Sequence, residues 1–286
     1  NFPITSIKFC IDYAKIKPDQ ISHVVFYEKP FLKFERLLET YLAFAPKGFV
    51  SFSKSMPLWV KDKLFQKTKI IDQLNLIDGN TSWKSKLLFS NHHISHASSA
   101  FYPSPYKRAA VLTLDGVGEW TTSSISIGED NEVKLIKDIN FPHSIGLLYS
   151  AFTYFTGFKV NSGEYKVMGL APYGEPKFTK IIKDNLIDIK DDGSFKVNMT
   201  YFDYATGLKM TNNKFSKLFG IKPRQPETNL TQNEMDLASS IQAVTEEIFI
   251  KICKNIKRET NENNLCLAGG VALNCVANGI LQKEKI

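Results

Sequence analysis

Two apolar runs that each end in a glycine turn constrain the fold of this chain most strongly. The run RAAVLTLD (108–115) ends on Asp115 and continues into Gly-Val-Gly, and the run NLCLA (264–268) continues into Gly269 and Gly270. Short apolar runs bounded by turn residues predict strands that are buried in a sheet. A helical pattern begins directly after the second run. The two runs therefore predict a sheet combined with helices.

The remaining periodicities predict an alternation of helices and strands. Helices are predicted over residues 4–16, 31–44, 57–76, 146–155 and 234–257, and the segment after Asn91 is also expected to be helical. Strands are predicted at 21–27 and 86–90, and TTSSISIGE (121–129) and VKLIKDI (133–139) alternate as antiparallel neighbours do. A loop is expected after residue 155, and about 186–230 is expected to be a less regular insertion. The predicted class is α/β with a mixed sheet.

Composition limits the environments and partners of such a chain. Of its 286 residues, 43% are hydrophobic and 23% are charged, and no apolar stretch approaches the ~20 residues that span a bilayer. No membrane partner and no signal peptide are therefore expected. Four cysteines without a CxxC pair predict buried free thiols in a reducing compartment, so the expected location is cytoplasmic. The net charge of +7 suits anionic partners, although the dispersed lysines favour a solvated basic surface.

Three of the five histidines lie within the ten residues NHHISHASSA (91–100). On a helix, His92 and His96 share one face, from which two imidazoles can converge on one metal ion. His93 stands where a zinc protease has its glutamate, so this segment offers no general base. Asp115 is the candidate third ligand, and a carboxylate with two imidazoles suits Fe, Mn or Zn. The alternative interpretation is that these histidines satisfy or cap a core helix.

The two glycine turns are candidate sites for an anion. In LTLDGVG, Gly116 lets the backbone approach an anion closely, and Asp115 can hold a metal ion that bridges phosphates. A plain hairpin is the alternative interpretation. The turn at Gly269 and Gly270 opens the last helix, whose free amides attract anions. It matches neither a Walker A loop nor GxGxxG. Two such turns are what a nucleotide held between two sheet-based lobes requires.

Two groups of charged residues have both a functional and a structural interpretation. Glu164 and Lys166 lie in GEYKVMG, where Lys166 is a candidate for contacting a phosphate or neutralising a transferring group. A local salt bridge between the two is the alternative. Lys29, Lys33 and Arg36 lie on or beside a predicted helix and could line a phosphate entry path. For these three, a solvated face is the favoured interpretation.

Several long motifs resemble one protein family. They are NHHISHASSAFYPSP, AAVLTLDGVGEW, FPHSIGLLYSAFTYFTGFKVNSGEYKVMGLAPYG and LCLAGGVALNCVANG, with VVFYEKPFLKFERLLETY near the start. Together and in this order they resemble the carbamoyltransferase family that includes the nodulation and antibiotic O-carbamoyltransferases. The resemblance covers most of the chain and is weakest around 186–230.

The resemblance implies a fold and a reaction. The fold is a Kae1-like domain of the actin/sugar-kinase/Hsp70 (ribonuclease H-like) superfamily, shared with the catalytic subunit of tRNA threonylcarbamoyladenosine synthase. In the implied reaction, carbamoyl phosphate and ATP give carbamoyl-adenylate, and the carbamoyl group passes to a hydroxyl of a small-molecule or sugar acceptor. An iron-type metal ion is implied as well, which acts as a Lewis acid on oxygens that gain charge in the transition state.

The family's functional residues carry over to three sets of matching positions. They are the metal ligands His92, His96 and Asp115; the nucleotide-binding residues Asp115, Gly116, Ser144, Gly269, Gly270 and Asn274; and the catalytic candidates His143 and Lys166. His143 and Ser144 belong to the FPHSIG motif, which in the family lies near the carbamoyl group.

The resemblance also implies missing parts and leaves alternatives open. Family members begin with an earlier phosphate loop and continue past the last helix of this chain, with a later aspartate that is a further metal ligand. Residues 1–286 are thus expected to be a partial Kae1-like domain, truncated at both ends, and a YrdC-like domain is expected in the full-length protein. The alternatives are a tRNA-modifying relative and a non-catalytic nucleotide-binding domain of the same superfamily. Nucleic acid is not the expected partner.

Overall fold

The computed structural model describes residues 2–63 and 65–285. Its α-helices are α1 (Ile4–Ala14), α2 (Pro30–Phe44), α3 (Phe49–Lys63), α4 (Gln66–Asn75), α5 (Trp83–Lys86), α6 (His92–Phe101), α7 (Ile145–Phe155), α8 (Glu164–Leu170), α9 (Thr179–Asn185), α10 (Asn213–Phe219), α11 (Gln232–Thr260) and α12 (Cys275–Lys283). Its strands are β1 (Val24–Phe26), β2 (Leu87–Phe89), β3 (Arg108–Leu114), β4 (Thr121–Glu129), β5 (Glu132–Asn140), β6 (Ile187–Ile189), β7 (Phe195–Val197) and β8 (Leu265–Ala268).

A four-stranded mixed sheet with the order β5-β4-β3-β8 lies at the centre of the fold. β3 pairs antiparallel with β4, and β4 with β5, whereas β8 runs parallel to β3 with Leu112 opposite Leu267. Every residue of β3 after Arg108 is buried, as expected for a strand with neighbours on both edges. The prediction of an α/β fold with a mixed sheet is confirmed.

Alternate residues of β3 belong to two different cores. Leu112 and Leu114 join the large core that β3 forms with α7 and α11, whereas Val111 packs with Phe101 of α6. Since successive side chains of a strand point to opposite faces, helices cover both faces of the sheet. Gly128 on β4 makes room for this packing, because a Cβ atom there would lie 2.5 Å from the Phe101 ring.

The helix α11 supplies one wall of the large core. Its predicted span of 234–257 is extended in the structure to Gln232–Thr260. The Glu234 side chain accepts the Thr231 N–H at 2.8 Å and completes a capping box that starts the helix. One apolar stripe of the helix is buried, consisting of Leu237, Ile241, Val244, Ile248, Ile252 and Ile256. Because these residues recur with a period of about 3.6, they lie on one face of α11, and their burial holds the helix against the sheet.

Part of the chain before α6 packs around a small core of its own. β1 and β2 form a two-stranded parallel sheet, and Ile70, Leu74, Trp83 and Leu87 are buried together beside it. The predicted strand at 21–27 is limited to β1. The prediction of a single helix at 57–76 was wrong, because the described residues of this span belong to two helices, α3 and α4, and α4 buries Ile70 and Leu74 in this core.

Two segments contain more regular structure than the sequence predicts. The segment after residue 155, expected to be a loop, contains α8. The segment 186–230, expected to be less regular, contains the antiparallel pair β6–β7 and the helix α10. Phe215 of α10 is fully buried, with ring centroids 5.3 Å from Phe152 and 4.8 Å from Phe155 of α7. Short elements with few apolar residues show no clear period, so tertiary packing decides their structure.

The prediction of buried free cysteines is correct for two of the four. All four are free, and Cys253 and Cys266 are buried, but Cys10 and Cys275 are exposed. Cys10 lies on α1, a helix that has no buried residue, and Cys275 is the first residue of α12. Among the described residues, no helix is both long and apolar enough to cross a membrane.

Replacing Phe215 should show that the 186–230 segment is part of the main core. Phe215→Ala should lower the free energy of unfolding by about 3–5 kcal/mol, because it leaves a cavity among aromatic rings. Leu208→Ala, in the same segment but at a side chain that is 66% exposed, should change it by less than about 0.5 kcal/mol. Urea denaturation followed by circular dichroism measures both. Equal small effects would contradict the packing described above.

Candidate metal centre

Three ligand atoms from two segments of the chain meet at one edge of the central sheet. His92 and His96 lie one turn apart on α6, and Asp115 directly follows β3. His92 Nε2 lies 3.0 Å from Asp115 Oδ2, His96 Nε2 lies 3.1 Å from His92 Nε2, and His96 Nε2 lies 3.7 Å from Asp115 Oδ2. The structure thus brings together the three side chains that the sequence puts forward as metal ligands.

The spacing and chemistry of these three atoms fit a metal ion. Ligands at about 2.0–2.2 Å from one ion, at tetrahedral or octahedral angles, lie about 3.0–3.5 Å from one another. The two separations that involve His92 Nε2 fall in this range, and the separation of His96 Nε2 from Asp115 Oδ2 is slightly longer. Two imidazole nitrogens and one carboxylate oxygen form a ligand set that leaves further positions open on a first-row transition metal. His96 is 31% exposed and Asp115 is 20% exposed, so the cluster is accessible from one side.

Asp115 is held as an anion although it is largely buried. Burial alone would raise the pKa of its carboxyl group, but the hydrogen bond with His92, the nearby His96 ring and the backbone N–H groups of Gly270 and Gly116 hold that pKa well below its usual range. The Gly270 N–H donates to Asp115 Oδ1 at 3.1 Å, which leaves Oδ2 directed at the histidines. One oxygen therefore anchors the side chain, and the other is available as a ligand.

The second glycine turn lies beside Asp115 because β3 and β8 are parallel neighbours. The carboxyl ends of the two strands meet at the same edge of the sheet, so the Gly269–Gly270 turn reaches the Asp115 side chain. Gly269 has a φ of +87°, and a Cβ atom there would collide with the Leu114 carbonyl oxygen. The close approach of the two turns therefore requires glycine at this position.

The side chains of Ser144 and Asn274 form hydrogen bonds with other residues of the protein. Ser144 is fully buried; its Oγ donates to the Gly116 carbonyl at 2.6 Å and accepts the Leu147 N–H at 3.0 Å, which starts α7. Asn274 exchanges two hydrogen bonds with the Gln242 side chain, at 2.9 and 3.0 Å. These contacts fix the turns on either side of Asp115. A direct contact of either side chain with a nucleotide stays a prediction.

His143 and Lys166 contact parts of the protein other than the histidine cluster. His143 Nδ1 accepts the Val197 N–H at 3.1 Å, and burial together with the charge of Lys196 lowers its pKa. Lys166 is exposed on α8, with its Nζ 5.8 Å from the centre of the Phe158 ring. Glu164 does not pair with it but binds the Ser150 hydroxyl at 2.7 Å. The catalytic roles of His143 and Lys166 stay predictions.

Sequence reasoning missed a buried charged contact of α2. Arg36, expected on a solvated face, is buried and donates from Nη1 to the Gly118 carbonyl at 2.7 Å. Burial lowers its pKa to about 10, and the charges of Glu119 and Glu28 act against that change. Glu119, also buried, was not singled out at all. The only signal was its place in DGVGEW, four residues after Asp115.

His93 fits the structural interpretation of the histidines. It is buried beside the cluster, with Nδ1 2.9 Å from the Ser124 hydroxyl, and its Nε2 has no hydrogen-bond partner among the described residues. Burial lowers the pKa of His93 to about 4, although the charge of Asp115 acts in the opposite direction. The imidazole is therefore neutral in the folded protein at neutral pH.

The buried neutral His93 should make the folded state sensitive to acid. Between pH 6.5 and 4 the unfolded chain binds a proton at this histidine and the folded chain does not, so stability falls as the pH falls, by about 3 kcal/mol over the interval. His93→Asn should remove this part of the pH dependence, and His23→Asn, at an exposed histidine, should keep it. Urea denaturation at several pH values tests this. The same pH dependence in wild type and His93→Asn would rule the mechanism out.

The fold and the cluster define a class of protein: an α/β domain with two histidines and a carboxylate beside a glycine turn. A family model described as Carbamoyltransferase N-terminus matches residues 2–286 of the chain. The chain belongs to this family, and the resemblance seen in its motifs is confirmed.

Three relatives illustrate the similarity. The chain is 57% identical over 285 residues to the uncharacterised protein sll1178 of Synechocystis sp., with 99% of this chain and 46% of that protein covered. It is 29% identical over 289 residues to nodulation protein NolNO of Sinorhizobium fredii, with 100% and 38% covered. It is 32% identical over 193 residues to nodulation protein NolO of Bradyrhizobium diazoefficiens, with 67% and 33% covered. The chain spans less than half the length of these relatives.

Proposed function

We propose that this chain is the Kae1-like part of an O-carbamoyltransferase, in the actin/sugar-kinase/Hsp70 superfamily. The full-length enzyme would make carbamoyl-adenylate from carbamoyl phosphate and ATP in a YrdC-like domain, and would transfer the carbamoyl group to a hydroxyl of a small-molecule or sugar acceptor. The observation that carries this proposal is the convergence of His92, His96 and Asp115 beside the Gly270 turn, in a chain of the carbamoyltransferase family.

The three converging side chains are the proposed ligands of an iron-type ion, with zinc or manganese as alternatives. Such an ion, when bound, supplies a Lewis acid for oxygens that gain negative charge in the tetrahedral transition state. The protein's own contribution is to keep Asp115 ionised and to hold both imidazoles on one face of α6.

The glycine turns are the proposed nucleotide site. Gly116 and Gly270 lie on either side of the Asp115 carboxylate, and a Cβ atom at Gly270 would lie 3.1 Å from Asp115 Oδ1. A larger residue there would crowd the carboxylate and any phosphate beside it. The bare backbone at both turns therefore favours a bound anion close to the proposed metal site.

His143 is suited to donating a hydrogen bond rather than to removing a proton. Because its pKa is lowered and its Nδ1 accepts the Val197 N–H, the neutral ring carries its proton on Nε2. In the transfer step the acceptor oxygen bonds to the carbamoyl carbon, the bond from that carbon to the phosphate oxygen of AMP breaks so that AMP leaves, and the hydroxyl proton passes to water. The Nε2–H of His143 can stabilise the carbamoyl oxygen in this step, whereas the exposed Lys166 fits a contact with an anionic substrate.

Metal content tests the proposed site directly. The purified chain loaded with Fe²⁺, Zn²⁺ or Mn²⁺ and then dialysed should retain about one ion per chain, as measured by elemental analysis. His92→Ala, His96→Ala and Asp115→Ala should each remove this ion, because each deletes a ligand, and His23→Ala should retain it. A folded wild-type protein that holds none of the three metals would contradict metal assistance.

The reaction class is tested on the full-length protein. It should exchange pyrophosphate with ATP when carbamoyl phosphate is present, because carbamoyl-adenylate formation is reversible. Acetyl phosphate should not support the exchange, and residues 1–286 alone should show none, since the YrdC-like domain is proposed to carry that step. Radiolabelled pyrophosphate measures the rate. Exchange that is equally fast with acetyl phosphate would contradict the assignment to carbamoyl chemistry.

A further inference from the structure

We propose that Glu119 is the positioning residue of the metal centre: its carboxylate holds the start of α6 so that the His92 imidazole faces Asp115. The inference rests on the proposed metal site and adds a residue to it. Glu119 lies in the turn between β3 and β4, is only 8% exposed, and belongs to the same short segment as Asp115.

The first turn of α6 depends on Glu119 for its cap. The N-cap residue Asn91 makes no side-chain capping hydrogen bond, and the first turn contains no acidic residue. Both oxygens of Glu119 instead lie within reach of the His92 N–H, at 3.2 and 3.1 Å. A carboxylate at this place accepts an N–H that has no partner inside the helix and matches the positive end of the helix dipole.

The same carboxylate also holds the start of α2. Glu119 Oε1 accepts the N–H of Lys29, the N-cap residue of α2, at 2.7 Å, and that helix also lacks a side-chain cap of its own. Arg36, two turns into α2, donates to the Gly118 carbonyl. The turn that carries Glu119 is therefore bound from both helices. Two of these contacts come from α2, and the third comes from the His92 N–H of α6.

The His92 ring depends on this backbone contact because no hydrogen bond at its second ring nitrogen orients it. Metal-binding histidines are usually oriented by a hydrogen bond from the second ring nitrogen. The Nδ1 of His92 is buried and has no partner among the residues that the structure describes. The ring packs instead on Gly118, where a Cβ atom would lie 3.0 Å from the His92 Cβ. Glu119 thus sets the ring position through the backbone, and a side chain at Gly118 would crowd the ring.

Three variants of Glu119 separate the effect of where its side-chain oxygens lie from the effect of its negative charge. Glu119→Asp keeps the charge but withdraws the oxygens, Glu119→Gln keeps an oxygen at full reach without the charge, and Glu119→Ala removes both. The control is Glu129→Ala, at the exposed end of β4, where the side chain pairs with Arg108. Zn²⁺ affinity is measured by competition with a chelator, and the ligand field by the visible absorption of the Co²⁺ form.

We expect Glu119→Ala and Glu119→Asp to bind Zn²⁺ about 10–100-fold more weakly than wild type and to change the Co²⁺ spectrum. Glu119→Gln should stay within about 3-fold of wild type, because its amide oxygen still accepts both N–H groups. Glu129→Ala should match wild type. Amide hydrogen exchange at His92 and Lys29 should be faster in Glu119→Ala and Glu119→Asp only. This result would link the loss of metal affinity to the starts of α6 and α2.

Several outcomes would overturn the inference. Folded Glu119→Asp and Glu119→Ala proteins with wild-type Zn²⁺ affinity and an unchanged Co²⁺ spectrum would do so while leaving the metal site intact. A Glu119→Gln protein as weak as Glu119→Ala would show that charge, not position, matters. Wild-type protein that binds neither Zn²⁺ nor Co²⁺ would remove the proposed metal site and this inference together. Weaker binding by the Glu119 variants alone would leave the proposed metal site in place.

Discussion

The carboxylate of Asp115 is the group on which the rest of the candidate site depends. It follows the most buried strand of the sheet, where desolvation opposes its charge, and yet its pKa is held low by two imidazoles and by backbone N–H groups. A buried carboxylate that stays ionised must be surrounded by donors or cations. His92 and His96 surround the carboxylate in this way. A metal ion bound to the same three side chains would also stabilise its charge.

The sheet topology provides the rest of this environment. Because β3 and β8 are parallel, their ends place Asp115 and Gly270 side by side, and the antiparallel pairing of β3 with β4 returns the chain past α6 at Glu119. Helices on both faces then fix the edge from two sides, with α7 held by Ser144 and α6 by Glu119. A site built on strand ends and helix starts is rigid where a loop would be mobile.

Much of this arrangement could be predicted from short stretches of the sequence. The four-residue spacing of His92 and His96 predicts a shared helix face, and the apolar run before Asp115 predicts a buried strand that ends there; α6 and β3 confirm both elements. Arg36 and Glu119 could not be predicted in this way. Their partners lie 82 and 90 residues away along the chain, and a charged residue on an amphipathic helix has the pattern of a solvated one. Phe215 was missed because short elements carry no readable period.

The sequence by itself determined the family, the α/β class and the local geometry of the histidine helix, because these depend on motifs and on periods of two and 3.6 residues. Only the tertiary structure decided that the side chains of Ser144 and Asn274 form hydrogen bonds with other residues of the protein. It also decided that Arg36 is buried and that the Glu119 carboxylate accepts hydrogen bonds at the starts of two helices. Hydrogen-bond partners that come from distant elements meet only after the chain has packed, and no local period encodes them.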